Sequence, residues 1–157
     1  PVYQAAVLPH RVATPFYARY VKGKFYGDHV DDPVMGPMGG RYRTDVSTTV
    51  FLNSPDEYEG GETVIRTQFG DQKIKLAAGD AITYPSGSLH HVAEVTDGVR
   101  LVAVTWAQSM IRDPDKRELL FNLHQTRETL QKKYPDDAKV LKIDHTYINL
   151  VRMWAEI

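Results

Sequence analysis

Short runs of β-branched and aromatic residues, each cut off by Gly, Pro, Asn or Asp, fill residues 1–111 of this 157-residue chain. That pattern leaves little room for a long helix in the first two thirds of the protein. Candidate strands are Phe16–Val21, Thr44–Leu52, Glu62–Phe69, Gln72–Leu76, Ala81–Tyr84, His90–Val95 and Val99–Ala107. Gly70-Asp71 reads as the turn of a hairpin between the third and fourth, and Gly60-Gly61, Gly79-Asp80, Ser86-Gly87 and Asp97-Gly98 punctuate the rest. Many short strands at close spacing predict a sandwich or barrel of antiparallel sheets.

The pattern changes after Ser109. Asp113-Pro114 starts a helix, with a capping residue followed by proline at the first helical position. Leu119, Leu120, Leu123, Thr126 and Leu130 recur at helical spacing up to Tyr134-Pro135. A second helix begins near Asp136 or Asp137 and carries Val140, Leu141, Tyr147, Ile148, Val151 and Trp154. The expected organisation is a mainly β domain over residues 1–111 and a C-terminal helical segment over 112–157 packed on it. The expected contacts are Leu119, Leu123, Val151 and Trp154, unless this apolar stripe is instead the interface of a homodimer.

Composition narrows the chemistry. There is no cysteine, so disulfides and thiolate metal sites are excluded, and any metal ligand must be His, Asp or Glu. A cysteine-free chain also fits a reducing cytoplasm. A net charge of -1 offers no electrostatic case for a nucleic-acid partner. No apolar run is long enough for a membrane span, and no signal peptide is visible.

Among the residues that carry chemistry, His29-Val30-Asp31 comes first. In a strand, positions i and i+2 face the same side, so His-x-Asp aims an imidazole and a carboxylate into one space. Two imidazoles and a carboxylate form the facial triad of non-haem Fe(II) sites. The second imidazole is His90 or His91; adjacent strand residues face opposite ways, and periodicity alone does not say which points inward. Arg100 heads a strand face that continues through Val102, Val104 and Trp106. It is either a solvent-reaching strand-end cation or the anchor of a dicarboxylate at the base of a pocket.

The order of motifs resembles the bacterial PKHD-type (prolyl/lysyl-hydroxylase-like) dioxygenases. The matching stretches are Tyr26–Asp31, Arg43–Leu52, Tyr58–Glu62, Ala78–Asp80, Tyr84–His90, Gly98–Arg100, Trp106–Asp113 and Leu150–Ile157. The resemblance implies a double-stranded β-helix, or jelly roll, and a Fe(II)- and 2-oxoglutarate-dependent dioxygenase. Such an enzyme hydroxylates its substrate with dioxygen while 2-oxoglutarate is decarboxylated to succinate. It implies His29, Asp31 and His90 as iron ligands and Arg100 as the 2-oxoglutarate anchor, with His90 preferred to His91 because the family's Arg lies ten residues after its distal His. It also implies L-ascorbate as a reductant, a small-molecule or peptidyl substrate, and further chain before Pro1.

Animal prolyl hydroxylases often place a Tyr where this chain has Phe51. Tyr20 is the candidate to supply a phenol to the cosubstrate instead, against the alternative of a half-buried strand aromatic. Asp28 and Asp32 read either as solvated loop acids or as an acidic rim for a cationic substrate. Two other readings remain in competition. A cupin-like metal enzyme without a 2-oxo acid would have no use for a buried Arg100, and a non-catalytic binding module would have little reason to keep all three ligands.

Overall fold

A computed structural model of the chain describes residues 2–157. In chain order the elements are helix α1 (Val2–Val7), strands β1 (Pro9–Val12), β2 (Phe16–Val21), β3 (Tyr26–His29), β4 (Val34–Met35), β5 (Tyr42–Arg43) and β6 (Val46–Phe51). They continue with β7 (Tyr58–Gly60), β8 (Thr63–Thr67), β9 (Gly70–Ile74), β10 (Ala81–Pro85), β11 (His90–Val92) and β12 (Val95–Ser109), then helices α2 (Pro114–Lys133) and α3 (Ala138–Trp154).

The contacts divide the chain into Val12–Ala107 and a second unit made of the residues up to Arg11 together with Gln108–Ile157. In the first unit, β12 pairs antiparallel with β2, β6 and β7, and β6 pairs with β10. The second sheet has the order β3-β11-β8-β9, also antiparallel. These are the two sheets of a jelly roll; the seven expected strands correspond to β2, β6 and β8 to β12, and β1, β3, β4, β5 and β7 come in addition.

Two turns differ from the sequence reading. The β8–β9 hairpin turns at Gln68-Phe69, with Thr67 opposite Gly70. The Thr67 hydroxyl, accepting from Phe69 N–H and donating to the Gly70 carbonyl, builds the turn there. Gly70, at φ 114°, begins the returning strand. Asp97-Gly98 is no turn at all, since β12 runs unbroken through it. Gly98 (φ 72°) sits against β7, and a Cβ there would fall 2.2 Å from the Glu57 carbonyl oxygen. The glycine permits a close approach between strands, beside a register irregularity between Val95 and Asp97.

The second unit holds α1, which the sequence reading assigned to the β domain. Val7 and Leu8 are buried, and Leu8 joins Ile111, Leu120 and Tyr147 in one apolar cluster flanked by Met110, Leu123, Leu150, Val151 and Trp154. That burial outweighs the strand preference of Val2, Tyr3 and Val7. Asp113 caps α2 by accepting from the backbone N–H groups of Asp115 and Lys116, and Asp137 caps α3 through Lys139 N–H. Leu123, Val151 and Trp154 face this cluster as expected, but Leu119 is 60% exposed and its neighbour Leu120 takes the inward position. No helix among the described residues is long and apolar enough to cross a membrane.

Candidate metal and cosubstrate site

Strands β3 and β11 lie side by side with His29 directly opposite His90. Their rings are 4.2 Å apart, centroid to centroid. The sequence reading placed His29 and Asp31 on one strand face, but β3 ends at His29. Asp31 reaches the same place from the loop beyond, its backbone N–H donating to the Ser86 carbonyl at 3.1 Å. Its Oδ1 lies 3.8 Å from His29 Nε2 and 3.9 Å from His90 Nε2. One ligand atom from each of His29, Asp31 and His90 falls within 4.8 Å of the others. His91 points to the opposite face of β11, as strand alternation requires, and contacts Asp28 instead.

Hydrogen bonds prepare all three side chains for a cation. His29 Nδ1 donates to the Gly27 carbonyl at 2.8 Å, and His90 Nδ1 donates to the Ser88 carbonyl at 2.9 Å. A carbonyl only accepts, so both protons sit on Nδ1 and both Nε2 lone pairs face the cluster. The other carboxylate oxygen of Asp31 accepts from the Ser47 hydroxyl, which is 2.8 Å from the Ser86 hydroxyl. This is the outer hydrogen bonding that orients ligands in metal sites. The donor set is hard to borderline, with one carboxylate and no sulfur, which suits Fe(II). Tyr26 and Tyr84 set ring edges or faces against His29 and His90 at 4.3 and 4.9 Å.

His29, Asp31 and His90 line a cavity of about 300 Å³. Arg100 lines the same cavity and is 1% exposed, among the most deeply buried side chains of the protein. Its Nη2 donates to Thr63 Oγ1 at 2.9 Å, while the geometry leaves Nε without an acceptor. Among the described residues no carboxylate forms an ion pair with it. Burial lowers its pKa, opposed by the neighbouring tyrosines 20, 58 and 84. The guanidinium carbon stands 5.0 Å from the centre of the Tyr20 ring and 5.7 Å from that of Phe51. Burial also raises the pKa of Tyr20, with Arg100 pulling it down, so its phenol stays protonated as a hydrogen-bond donor. Tyr84 is raised further by burial and by Asp31.

Val104 and Trp106 line the cavity as expected from the β12 face, but Val102 is buried and does not line it. Asp32 is exposed at the cavity mouth, whereas Asp28 is held elsewhere by Arg66. Thr63, Tyr84 and Gly61 escaped the sequence reading, as did Ser47 and Tyr26. Thr63 and Tyr84 reach the site from strands whose facing no motif reveals. A Cβ on Gly61 (φ 67°) would lie 3.1 Å from Arg100 Cδ, so the glycine leaves room for the guanidinium's stem.

Comparison with known proteins fits this geometry. The 2OG-Fe(II) oxygenase superfamily model matches residues 15–108, and the PKHD-type hydroxylase C-terminal domain matches residues 115–156. The PKHD-type hydroxylase Tgr7_2199 of Thioalkalivibrio sulfidiphilus is 56% identical over 155 residues, covering 99% of this chain and 69% of that protein. The chain belongs to the PKHD-type hydroxylases. The PKHD-type hydroxylase YbiX of Escherichia coli is 46% identical over 98% of this chain and 68% of that protein. Among solved structures, a Pseudomonas putida prolyl-4-hydroxylase matches 66% of this chain and 55% of its own, with a TM-score of 0.53 and 23% identity. The viral collagen prolyl hydroxylase of Paramecium Bursaria Chlorella virus-1 matches 68% and 64%, with a TM-score of 0.52 and 22% identity. These two share the jelly-roll fold. The protein is a Fe(II)- and 2-oxoglutarate-dependent dioxygenase.

Proposed function

We propose that His29, Asp31 and His90 hold the iron of this PKHD-type hydroxylase, and that Arg100 anchors the far carboxylate of 2-oxoglutarate. One observation carries the reading: two imidazoles with Nδ1 tied off and Nε2 free share a cavity with a buried guanidinium that has no anionic partner among the described residues. A cupin-like metal enzyme would have no use for that cation. Fe(II) held by these residues would activate dioxygen, the oxidant: one oxygen atom would enter succinate as 2-oxoglutarate loses carbon dioxide, and the other would be inserted into a substrate C–H bond.

The chain's own residues do the positioning. Thr63 fixes the plane of the Arg100 guanidinium, so the free edge meets a carboxylate by a forked pair of charge-assisted hydrogen bonds. Tyr20 donates its phenol proton to the same cosubstrate, the role that Phe51 lacks the hydroxyl to fill. Ser47 holds Asp31 so that one carboxylate oxygen remains directed at the histidines. Phe16, stacked on Trp106 at 5.6 Å, lines the cavity beside it.

The oxygenase chemistry belongs to the β-core within residues 1–111, and residues 112–157 form the helical segment; every cavity-lining residue lies between Phe16 and Trp106. The cysteine-free chain fits work in the reducing cytoplasm. Ascorbate serves to keep the iron ferrous.

Succinate release tests the assignment. Purified protein with Fe(II), 2-oxoglutarate and air should release succinate slowly even without substrate. His29→Ala and Arg100→Ala should both lose that release, but only His29→Ala should lose bound metal. Succinate release from Arg100→Ala at the parent rate would remove Arg100 from the reading.

A further inference from the structure

Strand β3 carries His29 and is the edge strand of the β3-β11-β8-β9 sheet. Its hold on that sheet is thin. Only His29 and Tyr26 have register partners on β11, and the pairing is irregular between them. Asp28 stands in that gap. Its side chain lies on the face away from the metal-ligand cavity, lining a shallow depression with His91 and Arg66.

There a single guanidinium crosses the sheet. Arg66, on β8, donates from Nε to Asp28 Oδ1 at 3.1 Å and from Nη2 to Asp28 Oδ2 at 2.8 Å. Its Nη1 donates to both carboxylate oxygens of Asp71 on β9, at 3.3 and 3.1 Å. To reach Asp28 it spans β11, where His91 Nδ1 lies 2.9 Å from Asp28 Oδ1 at an angle poor for hydrogen bonding. Arg66 thus joins the far edge of the sheet, β9, to the edge that bears His29.

We propose that Arg66 is a positioning residue for the iron site: gripping Asp28 across β11, it straps β3 in register and so holds His29 opposite His90. This rests on the assignment of His29 and His90 as ligands. The strap lies half-exposed, and exposed ion pairs add little to global stability. Its consequence is local. Without it, the backbone pairing of β3 rests on the two positions that flank the irregularity, and the imidazole of His29 samples positions away from Asp31 and His90. A planar fork is needed, because Asp28 and Asp71 take different edges of one guanidinium and an ammonium reaches only one of them well.

Co(II) is the probe, read by its visible d–d absorption on titration into the metal-free protein. Arg66→Met should weaken Co(II) binding by about 10-fold, the lower range for loss of a ligand-orienting partner, while the metal-free melting temperature stays at the parent value. Arg66→Lys should recover part of the loss. Arg66→Met combined with Asp28→Asn should bind no worse than Arg66→Met alone, since the two act through one contact. Raising salt from about 0.05 M to about 0.5 M should weaken Co(II) binding more in the parent than in Arg66→Met, because screening loosens the exposed fork. Parent-like affinity in Arg66→Met overturns the proposal. So does an affinity loss that Arg66→Lys fails to relieve and that comes with a lowered melting temperature, the mark of general destabilisation. If His29→Ala and His90→Ala also bind Co(II) like the parent, the ligand assignment itself has failed.

Discussion

The two ends of the cavity are built on opposite principles. At the ligand end, each imidazole has its Nδ1 proton accepted by a backbone carbonyl, and Asp31 has a hydroxyl and a backbone contact holding it. The groups are held in place before any ion arrives, so little has to be reorganised when one binds. At the Arg100 end, a cation is withdrawn from water among neutral partners, with its Nη2 donating to the Thr63 hydroxyl and tyrosines 20, 58 and 84 beside it. Burying a charge without a counter-ion is costly, and an arriving dicarboxylate relieves that cost. On the proposed assignment, a metal end that is ready and an anion end without a counter-ion would make the binding of 2-oxoglutarate more favourable than its contacts alone.

The comparison is open to attack at both ends. The largest effect belongs to the ligands. Asp31→Ala or His90→Ala should lower Fe(II) affinity by more than about 100-fold, beyond the range for loss of an outer partner, and abolish succinate release. Equilibrium dialysis with Fe(II) under anaerobic conditions reads the first directly. Parent-like metal binding in either variant would mean that the triad is not the metal site.

At the other end, Arg100→Met keeps the stem and removes the charge. The ligand-free variant should be more stable than the parent, by about 1–3 kcal/mol, which is a rise of several degrees in melting temperature. A drop instead would show that the guanidinium is well satisfied and that the contrast between the two ends is wrong. Thr63→Val removes the Thr63 acceptor and should act the other way. It should cost about 1–3 kcal/mol of ligand-free stability by leaving a buried Nη2 proton without its hydrogen bond. That loss should vanish in the Arg100→Met background, which a double-mutant cycle of melts would show.

Why some of this was legible in the chain, and some not, follows from the range of the interactions. The strands of the jelly roll announce themselves through local composition. The Asp113 cap and the Pro114 start of α2 are read within four residues. His29, Asp31, His90 and Arg100 stand out because their residue types and spacing match a known chemistry. What eluded the sequence depends on partners distant in the chain. Thr63 meets Arg100 across 37 positions, and Asp31 is set by Ser86 rather than by a shared strand with His29. Leu119 and Leu120 differ by one position in helical phase, and only the cluster of Leu8, Ile111 and Tyr147 decides between them. The helix α1 is a tertiary decision of the same kind. Gly98 shows the converse: a local turn signal was overridden because its positive φ serves a close strand contact.

The smallest effect sharpens the comparison by lying outside it. Asp113→Ala removes the α2 cap and should lower global stability by about 1 kcal/mol, seen as a slightly earlier melt. It should leave 2-oxoglutarate affinity untouched. A shifted affinity would mean that the cavity depends on the helical unit.

The central claim is that Arg100 is a buried cation held for the cosubstrate's carboxylate. Titrating 2-oxoglutarate into anaerobic Fe(II) protein, and following the metal-to-ligand charge-transfer absorption, tests it most directly. In Arg100→Met the absorption should still develop, because the metal end is intact, but its midpoint should rise by at least about 100-fold, the lower bound for two lost charge-assisted hydrogen bonds. An unchanged midpoint in Arg100→Met would contradict the account.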